Sequence, residues 1–170
     1  MCLLGQLRLI RIDSMETASL SEIKKELQTV APQQLQELCL RLAKYKKENK
    51  ELLNYLLFEA INEQAFILNV KNEIDEQFKQ LNKNSFYLAK KTLRKALKTT
   101  DKYIKFSGSK QTEIELLIHF CQTMKKSGIQ MRSHRVVLNM YLRQKERIRK
   151  IHSMLHEDLQ FDYEEAIEQL

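Results

Sequence analysis

Residues 84–106 read NSFYLAKKTLRKALKTTDKYIKF, and the architecture follows from how this segment is wound. At 100° per residue, Phe86, Leu93, Leu97 and Ile104 fall on one line, with Ala89, Ala96 and Thr100 beside them. Lys91, Arg94, Lys95, Lys98, Lys102 and Lys105 gather on the other side, within an arc of about 100°. Only Asp101 interrupts the positive sign, and no aromatic residue is read within the cationic arc. The spacing predicts a helix that buries an apolar face and presents a cationic one.

The rest of the chain agrees with a helical reading. There are 3 Gly and 1 Pro in 170 residues, too few for the many tight turns of a sandwich or barrel. Lys, Glu, Leu and Gln dominate, and all are helix formers. A 43% hydrophobic and 30% charged composition argues for a packed core and against wholesale disorder. Charge is uneven: residues 83–156 carry 18 Lys/Arg against 4 Asp/Glu, and residues 157–170 carry none against 6. Such a basic middle permits binding to an acidic protein, nucleic acid or anionic lipid. It equally permits the acidic end to fold back as a shield. Cys2, Cys39 and Cys121 are scattered and lack CxxC spacing, which points to a reducing, cytoplasmic setting. Cys39 and Cys121 read as small core residues. No apolar run reaches the ~20 residues that span a bilayer, so no membrane role is expected.

Helix boundaries are written in several places. Ser19 and Glu22 form a capping-box pattern, and Pro32 suits the first position of the next helix. Asn49 is read as the cap of a third helix. Residues 50–81 contain no Gly or Pro, and a break is expected near 62–64 because an unbroken helix of about 30 residues would be unusually long. Asn82 to Asn84 makes a turn. Thr112 and Glu115 read as a second capping box, opening a helix that is apolar on most sides and therefore central. Ser133 starts a last long helix through Val137, Tyr141, Gln144, Ile148, Ile151, Leu155 and Leu159. The expected fold class is all-α: one domain of six or seven helices over residues 15–160, a bundle or short array of helical hairpins, with an acidic tail at 161–170. Its core is expected at 114–124, 93–97, 35–42 and 52–57. Residues 1–14 are either an extension upstream of a start at Met15 or a short extra element.

Residues 32–47 and 49–60, two amphipathic helices across a tight turn, resemble one unit of a HEAT-type helical array. The phrases LRLAKYKKENKELLNYLLFEA and KFSGSKQTEIELL resemble an uncharacterised family of small all-helical bacterial proteins. That resemblance implies a bacterial cytosolic origin and brings no activity with it.

Three functional constellations stand out. The cationic face of residues 91–105 could track phosphates over about 20 Å, although it is rich in Lys, which argues against base-specific readout. Ser109 and Lys110, in the loop before the Thr112 helix, could supply a second anion contact. Lys145, Arg149, His152 and His156 form another stripe, and His152 with His156 has the i,i+4 spacing of weak metal candidates. Cations on the same face oppose a metal there, so the histidines read better as part of the basic stripe. His119 and Cys121 point about 200° apart on a helix and cannot act as a pair. No catalytic motif, cofactor site or small-molecule substrate is evident. The leading reading is a cytoplasmic interaction or scaffold module for an acidic protein surface or for itself. The second is sequence-independent nucleic-acid binding, and the third a metal-dependent enzyme at His152 and His156.

Overall fold

The computed structural model of the protein describes residues 17–82 and 84–170. Every described element is helical: α1 (Leu20–Leu27), α2 (Pro32–Tyr45), α3 (Lys47–Asn54), α4 (Glu63–Lys79), α5 (Phe86–Ser107), α6 (Lys110–Lys126), α7 (Arg135–His152) and α8 (Glu157–Glu168). The all-α expectation holds, in the form of a bundle. Helix α6 lies at its centre and packs against α4, α5 and α7, while α8 rests on α7. Leu116, Leu117, Phe120, Cys121 and Met124 of α6 are fully buried, which is why its sequence is apolar nearly all round. Around it pack Ile67 and Ile74 from α4, Leu93 and Ala96 from α5, and Val137 and Ile148 from α7. Phe78 meets Phe120 edge-on at 5.6 Å.

Local chemistry sets the helix ends. Ser19 accepts from the Glu22 N–H, and the Glu22 carboxylate accepts from the Ser19 N–H at 2.8 Å, completing the capping box. Ser85 caps α5. Gly108 closes α5 with φ 67, a left-handed conformation that glycine adopts without Cβ strain, and its N–H donates to Ile104 at 2.9 Å. The break expected near 62–64 is present as a wide π turn (Tyr55–Glu59) and a tight 3-10 turn (Ala60–Asn62), with Asn62 capping α4.

Several expectations are corrected. Residues 35–42 are not core: Leu35, Leu38 and Leu42 are 39%, 41% and 62% exposed, and neither α1 nor α2 buries a side chain. The single extended residue Lys46 (φ −140, ψ 143) breaks the backbone ladder between α2 and α3 and turns α2 off the bundle. Leu56 and Leu57 are also exposed, and it is Tyr55, three residues after the half-buried Leu52, that points inward at the start of the π turn. Lys46, not Asn49, occupies the cap of α3, and the Asn49 amide instead donates to the Leu42 carbonyl at 2.9 Å. Ser109, not Thr112, caps α6, leaving Thr112 fully buried one turn in. Cys39 is only half-buried. The last helix does not run through to Leu159: α7 ends at His152, after starting at Arg135 behind a 3-10 turn (Met131–Ser133). The acidic end is no loose tail, since α8 docks through Tyr163, Ala166 and Ile167 and buries Leu170. The Tyr141 hydroxyl donates to the Leu170 carbonyl, and Lys125 Nζ donates to that of Gln169 at 2.6 Å. Residues 1–14 lie outside the described residues.

Candidate cationic interface

The rotation of α5 is locked by its buried face, Ala89, Leu93, Ala96, Thr100 and Ile104. Thr100 sits there without an orphaned hydroxyl, because it donates to the Ala96 carbonyl at 2.9 Å. The opposite face must then look outward. Lys91, Arg94, Lys95, Lys98 and Lys105 are exposed, and among the described residues none of the five has an ion-pair partner. Asp101, the one acid in the stripe, is taken up from behind by Arg147 of α7, with Nη1 at 2.6 Å and Nη2 2.7 Å from Glu113. Burial pulls the Arg147 pKa down, but its bonds to the two carboxylates outweigh that and raise it, so the bridge stays charged.

Lys102 differs from its neighbours. Its Nζ lies 3.1 Å from Glu51 of α3, which also sits 3.6 Å from Lys47, and 4.1 Å from the Tyr103 ring. Burial lowers the Lys102 pKa, and its bonds to Glu51 and Tyr103 more than reverse this. Lys102 therefore ties α5 to α3 and is not free to bind a partner. Between the two helices runs an open groove of about 620 Å³, with Lys47, Glu48 and Glu51 on one wall and Arg94, Lys95, Lys98 and Leu97 on the other. One residue escaped the sequence reading. Tyr87 stands four residues before Lys91, seven before Arg94 and eleven before Lys98, on the cationic line itself, and is 68% exposed. The same helical arithmetic, carried one turn upstream, finds it.

The remaining candidates lie elsewhere. The Ser109 hydroxyl accepts from the Thr112 N–H, and Lys110 pairs with Glu113 at 3.2 Å. The loop hydroxyls face a carboxylate. Ser107 and Thr112 both donate to Glu63 Oε1, Thr112 at 2.5 Å, and Tyr55 donates to Oε2 at 2.8 Å. Burial raises the Glu63 pKa, and the three hydroxyls together overcome this and hold it below its ordinary value. A phosphate at this turn would meet that charge. Lys145 lies 5.8 Å from the Tyr141 ring, and Arg149 pairs with Glu146 at 3.6 Å; neither lines the α3–α5 groove. His152 and His156 do not share a helix face, because the chain turns between them. His152 Nε2 lies 2.9 Å from the Gln160 carbonyl, and His156 caps α8, with Nδ1 3.2 Å from Asp158. Among the described residues, no cluster of three His, Cys, Asp or Glu could hold a metal. His119 instead bonds Asp75 at 2.8 Å, and burial pushes the Cys121 thiol up to about 12. No helix among the described residues is long and apolar enough to cross a membrane.

The chain matches no protein-family model, curated protein or solved structure.

Proposed function

We propose that this chain is a non-catalytic cytoplasmic interaction module whose α5 face docks an acidic protein surface. One observation carries the reading: Lys91, Arg94, Lys95, Lys98 and Lys105 stand exposed, without an ion-pair partner among the described residues, on a helix whose other face is fixed in the core. The strip runs about 21 Å at 1.5 Å per residue. Neighbouring like charges repel, so an acidic partner relieves a cost already present in the free protein. Exposed pairs contribute about 0.2–1 kcal/mol each, which suits reversible association, and the apolar wall at Leu97 gives a partner side chain somewhere to bury. The free thiols Cys39 and Cys121 are consistent with a reducing compartment.

Sequence-independent nucleic-acid binding is the second reading, and Tyr87 favours it, since an exposed ring beside phosphate-binding cations can stack on a base. Fluorescence anisotropy separates the two. A labelled Glu-rich helical peptide and labelled single- and double-stranded oligonucleotides are titrated at about 50 and 200 mM salt. Tighter binding of the peptide, lost when Lys91, Arg94, Lys95 and Lys98 become Gln, is the expected result. Tighter binding of the oligonucleotides makes this a phosphate-backbone binder, and no binding of either overturns both readings.

A further inference from the structure

Helix α8 carries a surface complementary to α5. It holds Glu157, Asp158, Asp162, Glu164, Glu165 and Glu168, with no Lys or Arg, and all six are exposed. On a helical wheel they occupy an arc of about 160°, and Phe161 lies inside that arc, 76% exposed. The inner face of α8 is fixed: Tyr163 donates to Glu115 at 3.1 Å, and Leu170 is buried. Helix α8 therefore cannot roll to offer its acids elsewhere. It packs on α7, and no hydrogen bond or ion pair joins it to α5 among the described residues. The shielding of the basic helix allowed by the sequence is thus not made within one molecule. Asp158 faces His156 at 3.2 Å and Glu165 accepts from Gln169 at 3.0 Å, while Glu157, Asp162, Glu164 and Glu168 have no ion-pair partner among the described residues, so two faces of opposite sign are held apart in one chain.

We propose that α8 of one copy docks on the α3–α5 surface of a second copy. Phe161 enters the groove beside Leu97, and the α8 carboxylates face Lys91, Arg94, Lys95, Lys98 and Lys105. This rests on the reading of α5 given above and identifies its acidic partner as the chain itself. An aromatic anchor inside a charged rim is the arrangement that concentrates binding in few residues. The net charge of +7 opposes association at long range, but that repulsion is screened beyond about 8 Å at 0.15 M salt, whereas the facing pairs act at contact. Association is therefore strongest at moderate salt and fades when salt is high enough to screen the contacts as well.

Sedimentation velocity of the full chain, from micromolar to near-millimolar concentration and at about 0.1 and 0.5 M salt, reads this directly. Concentration-dependent dimers or longer chains at the lower salt are expected. Lys95→Glu with Lys98→Glu, or Glu164→Lys with Glu168→Lys, weakens self-association about tenfold or more, and mixing the two variants restores it, because between unlike variants the two unaltered faces meet, as do the two reversed ones. Phe161→Ala weakens it with an unchanged melting curve. A wild-type chain that stays monomeric throughout overturns the inference, as does failure of two folded charge variants to associate when mixed. If the wild type is monomeric yet the α5 variant loses the acidic peptide, the inference fails while the reading of α5 stands.

Discussion

Removing the Glu63 carboxylate tests the joint that holds α5, α6 and the π turn together. Glu63 begins α4, and its two oxygens collect the hydroxyls of Tyr55, Ser107 and Thr112. Hydrogen bonds to a charged group are worth about 1.5–3 kcal/mol each, but three sharing one carboxylate do not add. In Glu63→Ala, Ser107 is half-buried and can turn to water, whereas Thr112, fully buried, cannot. The first turn of α4 also loses an acid at its positive end, about 0.5 kcal/mol. The expected loss in urea unfolding at pH 7 is about 2–4 kcal/mol, and Glu63→Gln, which keeps one acceptor, should lose about half as much. The pH dependence has a definite sign. The carboxyl is held below its ordinary value of 4.5, so its stabilisation is present above that value and is lost as pH falls through the lower folded-state value. The gap between wild type and Glu63→Ala should narrow from pH 7 to pH 3. A loss below about 0.5 kcal/mol at pH 7, within the range of ordinary surface changes, or a gap indifferent to pH, would refute the reasoning.

Other expectations are simpler to check. In a Cys2→Ser background, an exposed-thiol reagent at pH 8 should modify Cys39 promptly and Cys121 only as fast as the protein unfolds, given a buried thiol with a pKa of about 12; equal rates would contradict the packing of α6. Deleting residues 157–170 should cost about 3–5 kcal/mol, because Leu170, Ile167 and Tyr163 leave the core, and a melting curve unmoved by the deletion would contradict the docking of α8. Leu35→Ala with Leu38→Ala should change the unfolding free energy by less than about 1 kcal/mol, since neither side chain of α2 is buried; a larger loss would show that this stripe is covered.

The sequence was legible where a helix satisfies its own periodicity and its own ends. The apolar line of α5, the all-round apolarity of α6, the Ser19–Glu22 box and the break at Asn62 were all read correctly, because neighbours along the chain dictate each. Periodicity says that a stripe exists and not what covers it. That is why Leu35, Leu38 and Leu42 read as core and stand exposed. A helical wheel also assumes that the helix continues. His152 and His156 share a face only if no turn intervenes, and Ser153–Leu155, with no Gly or Pro to announce it, supplies one. The partners of the cations were likewise out of reach. Lys102 with Glu51 and Arg147 with Asp101 join residues some 50 positions apart, so only the folded chain separates these bound cations from the five that have no ion-pair partner among the described residues.

The central place of α6 also has a consequence in time. Helices α4 and α5 are complete by Ser107, yet the surface they close against begins at Lys110 and is not fully walled until α7 ends at His152. A ribosome adding about 5–20 residues per second needs roughly 2–9 s to make that stretch. A helical bundle dominated by contacts between neighbouring elements folds in microseconds to milliseconds once its parts are present. During synthesis, then, the waiting time is set by translation and not by folding. For those seconds Ile74 and Leu93 lack the helices that complete the core around them, beside a strip of positive charge already laid out on the same helix as Leu93.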